Sequence, residues 1–138
     1  MGAGYRMKCN NCDFSIATSG PWEFFRDEKG KQHDFGHPSP VSDEAAQRGV
    51  YGLYGKLYCP TCKKVVTVIL VEFKEPCRDA LSLWGGQCEP LEKYMEEDAV
   101  KCPKCKNKYL ILEPDNDHAV SCPKCEKGFL LGDMEWIS

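Results

Sequence analysis

The longest apolar run of the chain extends from Val65 to Val71, is interrupted only by Thr67 and predicts a β-strand. With Phe73 included, apolar side chains occupy both faces of this strand. Its nine residues, at about 3.3 Å each, would extend about 30 Å, which is longer than a metal-binding turn requires. A strand of this kind on an open sheet edge promotes aggregation. We therefore expect it to be covered by the inserted segment 22–50, by the segment 77–88 or by another chain.

Shorter stretches of alternating apolar and polar residues predict further strands at residues 5–8, 13–18 and 53–58. Two helical patterns also occur. The segment from Pro90 to Ala99 has a proline at its first position and an apolar face, and the segment from Ser42 to Gly49 has a capping residue at one end and glycine at the other. Together these patterns predict a mainly β fold with short helices.

Four Cys-x-x-Cys pairs, here called knuckles, follow or separate the predicted strands. A pair at this spacing can direct two thiolates at one cation, and two pairs supply the four sulfur ligands that zinc accepts. A redox dithiol or chance would explain a single pair, but four pairs, three of them Cys-Pro-x-Cys, indicate metal binding. We predict two Zn²⁺ per chain. The eight predicted ligands are Cys9, Cys12, Cys59, Cys62, Cys102, Cys105, Cys122 and Cys125.

The spacing of the knuckles favours one pairing among them. Knuckles 102–105 and 122–125 enclose 16 residues, which is within the range of zinc sites, so we predict that they share one ion. Knuckles 9–12 and 59–62 would then share the other ion across 46 residues. An interleaved arrangement, in which knuckle 59–62 joins knuckle 102–105, stays open as an alternative.

The repeated order of strand, knuckle and strand resembles the zinc-ribbon and rubredoxin-like group of four-cysteine metal proteins over roughly residues 5–19, 53–73 and 99–137. This resemblance implies two zinc-ribbon modules joined by a short helix. Rubredoxins proper would imply iron and electron transfer, but they usually have glycine directly after the second cysteine of a knuckle. Here those positions hold other residues, which favours zinc: Asp13, Lys63, Lys106 and Glu126.

The predicted domain organisation follows from these modules. It consists of an N-terminal ribbon at residues 1–76 with an inserted loop and helix at 20–52, a connecting loop and helix at 77–98, and a C-terminal ribbon at 99–138. Four thiolates close the coordination shell of zinc and leave no position for water or substrate, so we expect both sites to be structural. The sequence shows no nucleophile–base pair and no phosphate-binding glycine loop, and we expect no enzyme activity.

Composition narrows the function further. The net charge of −3 and the low pI weigh against a strong generic nucleic-acid binder, because phosphate affinity comes mostly from neutralised charge. The N-terminus lacks a secretory pattern and no apolar run approaches membrane-helix length, so we expect a cytoplasmic location, where disulfides do not persist. We expect a protein-interaction or assembly subunit. The alternatives are a protein that binds nucleic acid or the transcription or translation machinery, and an iron electron carrier.

Residues outside the knuckles leave smaller questions. Cys77 and Cys88, with His33 and His37, could form a third metal site, but we favour two buried thiols and two loop histidines. Six lysines are expected to surround the C-terminal zinc site and to balance its thiolate charge. They are Lys101, Lys104, Lys106, Lys108, Lys124 and Lys127. The aromatic residues after Pro21 either pack over the long strand or bind a partner, and both alternatives stay open.

Overall fold

The computed structural model describes residues 3–35, 49–78, 83, 87–95, 100–113 and 120–137. In these ranges the chain is mainly β, and its seven strands form one curled antiparallel sheet. The strands are β1 (Ala3–Cys9), β2 (Ser15–Arg26), β3 (Gln32–Asp34), β4 (Val50–Cys59), β5 (Lys64–Cys77), β6 (Val120–Ser121) and β7 (Phe129–Ile137). Their order across the sheet is β5-β4-β2-β1-β7-β6, with β3 paired to β2. Within those residues no helix is long and apolar enough to cross a membrane.

The direction of the strands brings two knuckles to one end of the sheet. Strands β1 and β4 both lie beside β2 and are antiparallel to it, so they run in the same direction. Their last residues, Cys9 and Cys59, therefore lie at the same end. Strand β7 returns along the free side of β1, with Leu130 opposite Cys9.

The core beside this end contains a segment without regular structure, residues 100–113. Its Ile111 exchanges two backbone hydrogen bonds of 2.9 Å with Tyr58 near the end of β4. Ile111 and Tyr58 are buried in one cluster with Met7 and Leu130. The segment thus fills the space between β4 and the strands of the other half of the sheet.

The long strand β5 is covered by two parts of the chain. Val66 and Val68 are buried against Leu57, with Leu110 and Leu112 of segment 100–113 packed on them. At its other end, β5 has a covered edge, because the backbone of residues 89–91 bonds to it through Lys74 N–H to Glu89 O (2.9 Å) and Leu91 N–H to Glu72 O (2.8 Å). Residues 89–91 lie directly after the segment 77–88 that was expected to cover β5, and segment 100–113 was not among the expected covers.

Phe35 of the inserted segment packs with Phe73 against the cluster of Val50, Cys77 and Leu83, so the insertion covers the end of β5 as predicted. The aromatic residues after Pro21 are buried or packed. Phe24 and Phe25 belong to the buried core.

The predicted helix at residues 90–99 does not start at Pro90. Pro90 forms a bridge with Phe73, and Leu91 has an extended conformation because its N–H bonds to β5. A single 3₁₀ turn, Glu92–Tyr94, follows. Residues 96–99 and most of the predicted helix 42–49 lie outside the described residues.

Candidate metal centres

The eight predicted ligands form two groups of four. Centre 1 contains Cys9, Cys12, Cys122 and Cys125, and centre 2 contains Cys59, Cys62, Cys102 and Cys105. In each group the Sγ atoms all lie within 4.8 Å of one another. The pairing that we favoured from sequence spacing is therefore wrong, and the interleaved alternative is the one present.

The strand order explains this pairing. Knuckle 122–125 precedes β7, and β7 pairs with β1, so the knuckle lies beside knuckle 9–12. Knuckle 102–105 precedes Ile111, whose bonds to Tyr58 place it beside knuckle 59–62. Each centre therefore joins residues from both predicted ribbons, and the boundaries of the predicted domains stay predictions.

Three of the four knuckles share one backbone geometry. The N–H of the residue after the second cysteine bonds to the carbonyl of the first cysteine, at 2.8 Å for Lys63, 3.0 Å for Lys106 and 3.1 Å for Glu126. These same residues have positive φ, at 59°, 66° and 61°. Glycine adopts this conformation at lower cost, so the positions that lack glycine nevertheless have the geometry that glycine favours.

Backbone N–H groups also point at the sulfur atoms. Cys12 N–H lies 3.3 Å from Cys9 Sγ, Cys62 N–H 3.4 Å from Cys59 Sγ, and Gly128 N–H 3.4 Å from Cys125 Sγ. A hydrogen bond to sulfur stabilises the thiolate over the thiol. The turns therefore favour the form of cysteine that binds metal.

These hydrogen bonds contribute to large differences in pKa among the cysteine thiols. N–H donors, first that of Cys105, lower the pKa of Cys102 to about 6, and the N–H of Gly128 is the first of the donors that lower the pKa of Cys125 to about 6. In contrast, the neighbouring Cys105 sulfur and burial raise the pKa of Cys62 to about 12. Four thiolates side by side therefore need a cation to balance them, and binding such a cation releases protons.

The sulfur spacing fits a tetrahedral ion. Neighbouring Sγ atoms are 3.6 Å apart for both Cys9–Cys125 and Cys12–Cys122 in centre 1, and 3.5 Å for Cys59–Cys105 and 3.7 Å for Cys62–Cys102 in centre 2. Four sulfurs around zinc, each at about 2.3 Å from it, would be about 3.8 Å apart. Both centres therefore fit a metal ion held by four thiolates.

The two centres are close to each other. Tyr58 is 1% exposed and belongs to the cluster around centre 1, while its neighbour Cys59 is a ligand of centre 2. Burial, followed by the charges of Cys122 and Cys59, raises the pKa of the Tyr58 hydroxyl. An ion pair of 3.6 Å between Lys63 and Glu126 joins a knuckle of one centre to a knuckle of the other.

Charge differs strongly between the two centres. The knuckle segments of centre 1, residues 8–14 and 121–128, contain three lysines and two acidic residues. Those of centre 2, residues 58–64 and 101–108, contain six lysines and no acidic residue. The six lysines predicted around one site are thus divided, because Lys124 and Lys127 lie beside centre 1. Lys63 and Lys64, which the sequence analysis did not include, lie beside centre 2.

The remaining cysteines and histidines form no third metal group among the described residues. Cys77 and Cys88 are joined as a disulfide, so the prediction of two free thiols is wrong. The Cα atoms of Cys77 and Cys88 are 6.4 Å apart, within disulfide range, and the nearby bonds between β5 and residues 89–91 help to hold the two segments together. His33 bonds Asp27 at 2.8 Å and stacks on Phe25, while His37 lies outside the described residues.

Sequence reasoning missed a run of exposed apolar residues on β7, here called the β7 row, which includes both faces of the strand, since Leu131 lies opposite Lys8 and Met134 opposite Tyr5. Phe129, Leu131, Met134 and Trp136 are all exposed, at 38–51% of their full area. The Trp136 ring lies directly over Gly4, with its centroid 5.4 Å from that of Trp22, so it is fixed in place. The available signal was the spacing of these apolar residues, two positions apart at 129 and 131 and again at 134 and 136.

No protein-family profile, curated protein or solved structure matches the chain. The fold and the cysteine groups therefore define its class. It is a mainly β protein with two candidate four-cysteine metal centres at one end of a curled sheet.

Proposed function

We propose that the chain is a non-catalytic zinc protein, in which two structural Zn²⁺ ions organise a sheet that serves as a protein-interaction or assembly subunit. The observation that carries the proposal is that cysteine sulfur supplies all four ligands of each centre. Catalytic zinc keeps one position open for water or substrate, whereas a shell of four thiolates is closed.

The positions of the ligands support a structural role for the ions. Each ion would join parts of the chain that are far apart in sequence, such as Cys9 with Cys125 and Cys59 with Cys105. Segment 100–113 contacts the sheet through the Tyr58–Ile111 bridge and through the packing of Leu110 and Leu112, and an ion in centre 2 would also hold its first residues. Binding energy of this kind contributes directly to folding.

A closed shell of four thiolates is typical of structural zinc, but a tetrahedral set of four sulfurs suits iron as well. The lack of glycine after the knuckles no longer argues against iron, because Lys63, Lys106 and Glu126 adopt the glycine-like conformation. Elemental analysis decides the point. We expect colourless protein with two zinc ions per chain, and visible absorbance with stoichiometric iron would establish the electron-carrier alternative.

The exposed row on β7 supports the interaction role. Among the described residues, β6 pairs only with Phe129 and Leu130, so no described strand lies along the outer side of Asp133 to Trp136. Met134 is 51% exposed there. An exposed apolar strand with an unpaired edge is a template for strand addition. The expected partner is a protein that adds an extended segment to the edge of β7, with apolar side chains next to Met134.

A matched pair of variants tests this surface. Met134→Glu places a charge on the row, and Met95→Glu makes the same change at another exposed methionine, outside β7. Affinity purification from the native cell should recover a partner that is lost with Met134→Glu and kept with Met95→Glu. That partner should protect β7 from amide hydrogen exchange. If both variants retain the same proteins and β7 gains no protection, the interaction proposal is wrong.

A further inference from the structure

We propose that the lysine-rich surface around centre 2 binds single-stranded nucleic acid, with lysines on the phosphates and Tyr109 stacked on a base. We call this surface the lysine face. It consists of Lys63, Lys64, Lys101, Lys104, Lys106 and Lys108 together with Tyr109. The proposal goes beyond the protein-interaction function and uses none of the residues of the β7 row.

The lysine face is a concentrated positive charge on an acidic chain. All six lysines are exposed, and the knuckle segments that hold them contain no acidic residue. The rest of the chain has 12 basic and 21 acidic side chains. The low pI therefore conceals a strong asymmetry, and a polyanion would be attracted to this one surface and repelled elsewhere.

Charge balance of the metal centre does not explain the excess. A divalent ion with four thiolates carries the same net negative charge at either centre, so both centres would need the same compensation. At centre 1, however, three lysines are accompanied by two acids, and Lys124 bonds Asp13 at 2.6 Å. The additional lysines of centre 2 therefore need an explanation other than charge balance.

Four of the six lysines have no acidic partner in the part of the chain that the structure describes. Lys64, Lys101, Lys104 and Lys106 make no ion pair with any residue that the structure describes, and Lys63 has only the 3.6 Å pair with Glu126. Lys64 and Lys104 lie on the two adjacent knuckles whose sulfur atoms form centre 2. Two adjacent like charges repel, and a phosphate between them would remove the repulsion.

Tyr109 distinguishes nucleic acid from an acidic protein as the ligand. Its side chain is 57% exposed, directly after Lys108. The Asn107 side chain donates to Tyr109 O at 3.0 Å and accepts from Tyr109 N–H at 3.1 Å, which fixes the backbone under the ring. Lysines beside a fixed, exposed aromatic ring are the combination that binds phosphates and stacks bases in single strands, where the bases are open to contact.

The test uses the full zinc-loaded chain and fluorescence anisotropy with labelled oligo-dT, oligo-U and a duplex of equal length. We expect both single strands to bind more tightly than the duplex. If four lysines contact phosphates, log Kd should change with log salt by a slope of about 3. A preference between oligo-dT and oligo-U would identify DNA or RNA as the natural ligand.

Variants with equal charge changes locate the surface. Lys64→Glu with Lys104→Glu should weaken binding at least tenfold and lower the salt slope, while Lys29→Glu with Lys31→Glu, in the β2–β3 turn, should change it far less. Tyr109→Ala should weaken single-strand binding by about tenfold through lost stacking. Zinc content and circular dichroism confirm that each variant is folded. No binding by the wild type at low salt, equal losses from both lysine pairs, or displacement of the oligonucleotide by poly-glutamate with no effect of Tyr109→Ala would each overturn the proposal.

Discussion

The two metal centres have the same ligands, but the protein around them differs. Centre 1 lies where β7 pairs with β1 along most of its length, and its lysines are mostly balanced by acids. Centre 2 holds a segment without regular structure, 100–113, and carries the excess of lysine. Identical coordination chemistry can therefore serve two purposes. At centre 1 an ion would reinforce strands that are already joined by backbone hydrogen bonds. At centre 2 it would help to position segment 100–113, which has few backbone hydrogen bonds to the sheet.

The largest expected effect comes from removing one ligand at each centre. Cys102→Ser and Cys122→Ser both replace a buried first cysteine of a knuckle. Each variant should lose one zinc and several kcal/mol of stability, because metal binding contributes folding free energy. Hydrogen exchange should show lost protection of Tyr58 and Ile111 in Cys102→Ser, whereas β1 and β7 stay paired in Cys122→Ser. The comparison fails if both variants lose protection to the same extent in the same strands.

A smaller effect is expected at the opposite end of β4, which no metal holds. There the Arg26 guanidinium donates to both oxygens of Glu72, at 3.0 and 2.8 Å, and holds the pKa of that carboxyl below its usual value. Glu72→Gln should lower stability by about 1–2 kcal/mol, since hydrogen bonds to charged groups are strong and this pair is mostly buried. Glu75→Gln, on the same strand and exposed, is the control.

The stability difference between wild type and Glu72→Gln should depend on pH in a defined direction. Because the Glu72 pKa is lowered by folding, its contribution is fully present above the unfolded value of about 4.3 and is lost as pH falls through the lower folded value. Urea denaturation should therefore show a constant difference between wild type and Glu72→Gln from neutral pH down to this point. A difference that disappears already at about pH 6, well above the unfolded pKa, would contradict the assignment of the ion pair.

The smallest effect concerns the knuckle turns. Lys106→Gly at centre 2 and Glu126→Gly at centre 1 should each raise stability by about 0.5–1 kcal/mol, because glycine relieves the positive φ. Asp13→Gly is the contrast, since Asp13 has the equivalent position in knuckle 9–12 but no positive φ, and this change should lower stability. Thermal denaturation of the zinc-loaded variants measures all three.

The sequence predicted which cysteines lie in groups that could hold a metal, but it did not predict how they are grouped. Cys-x-x-Cys spacing is local, so it identifies Cys9 or Cys102 as a ligand without reference to the fold. Which knuckles meet depends on strand order, and nothing in the spacing shows that β7 pairs with β1. Pairing the knuckles that enclose the fewest residues therefore gave the wrong partners.

Two other predictions failed for related reasons. The helical pattern after Pro90 was overridden because Leu91 bonds to the edge of β5, and a strand edge sets the conformation of whatever pairs with it. The lysines were assigned to one site because Lys124 is near Lys104 in the sequence, although the two knuckles belong to different centres. The mainly β character could be predicted from the local alternation of apolar and polar residues, and it is confirmed.

Zinc counting in two double variants tests the interleaved centres most directly. Cys12→Ser with Cys125→Ser removes two ligands from centre 1 alone, whereas Cys12→Ser with Cys62→Ser removes one from each centre. Native mass spectrometry in the presence of a competing chelator should find one tightly bound zinc in the first variant and none in the second. The reverse result, with none in the first and one in the second, would show that knuckle 9–12 shares its ion with knuckle 59–62 and would contradict this account.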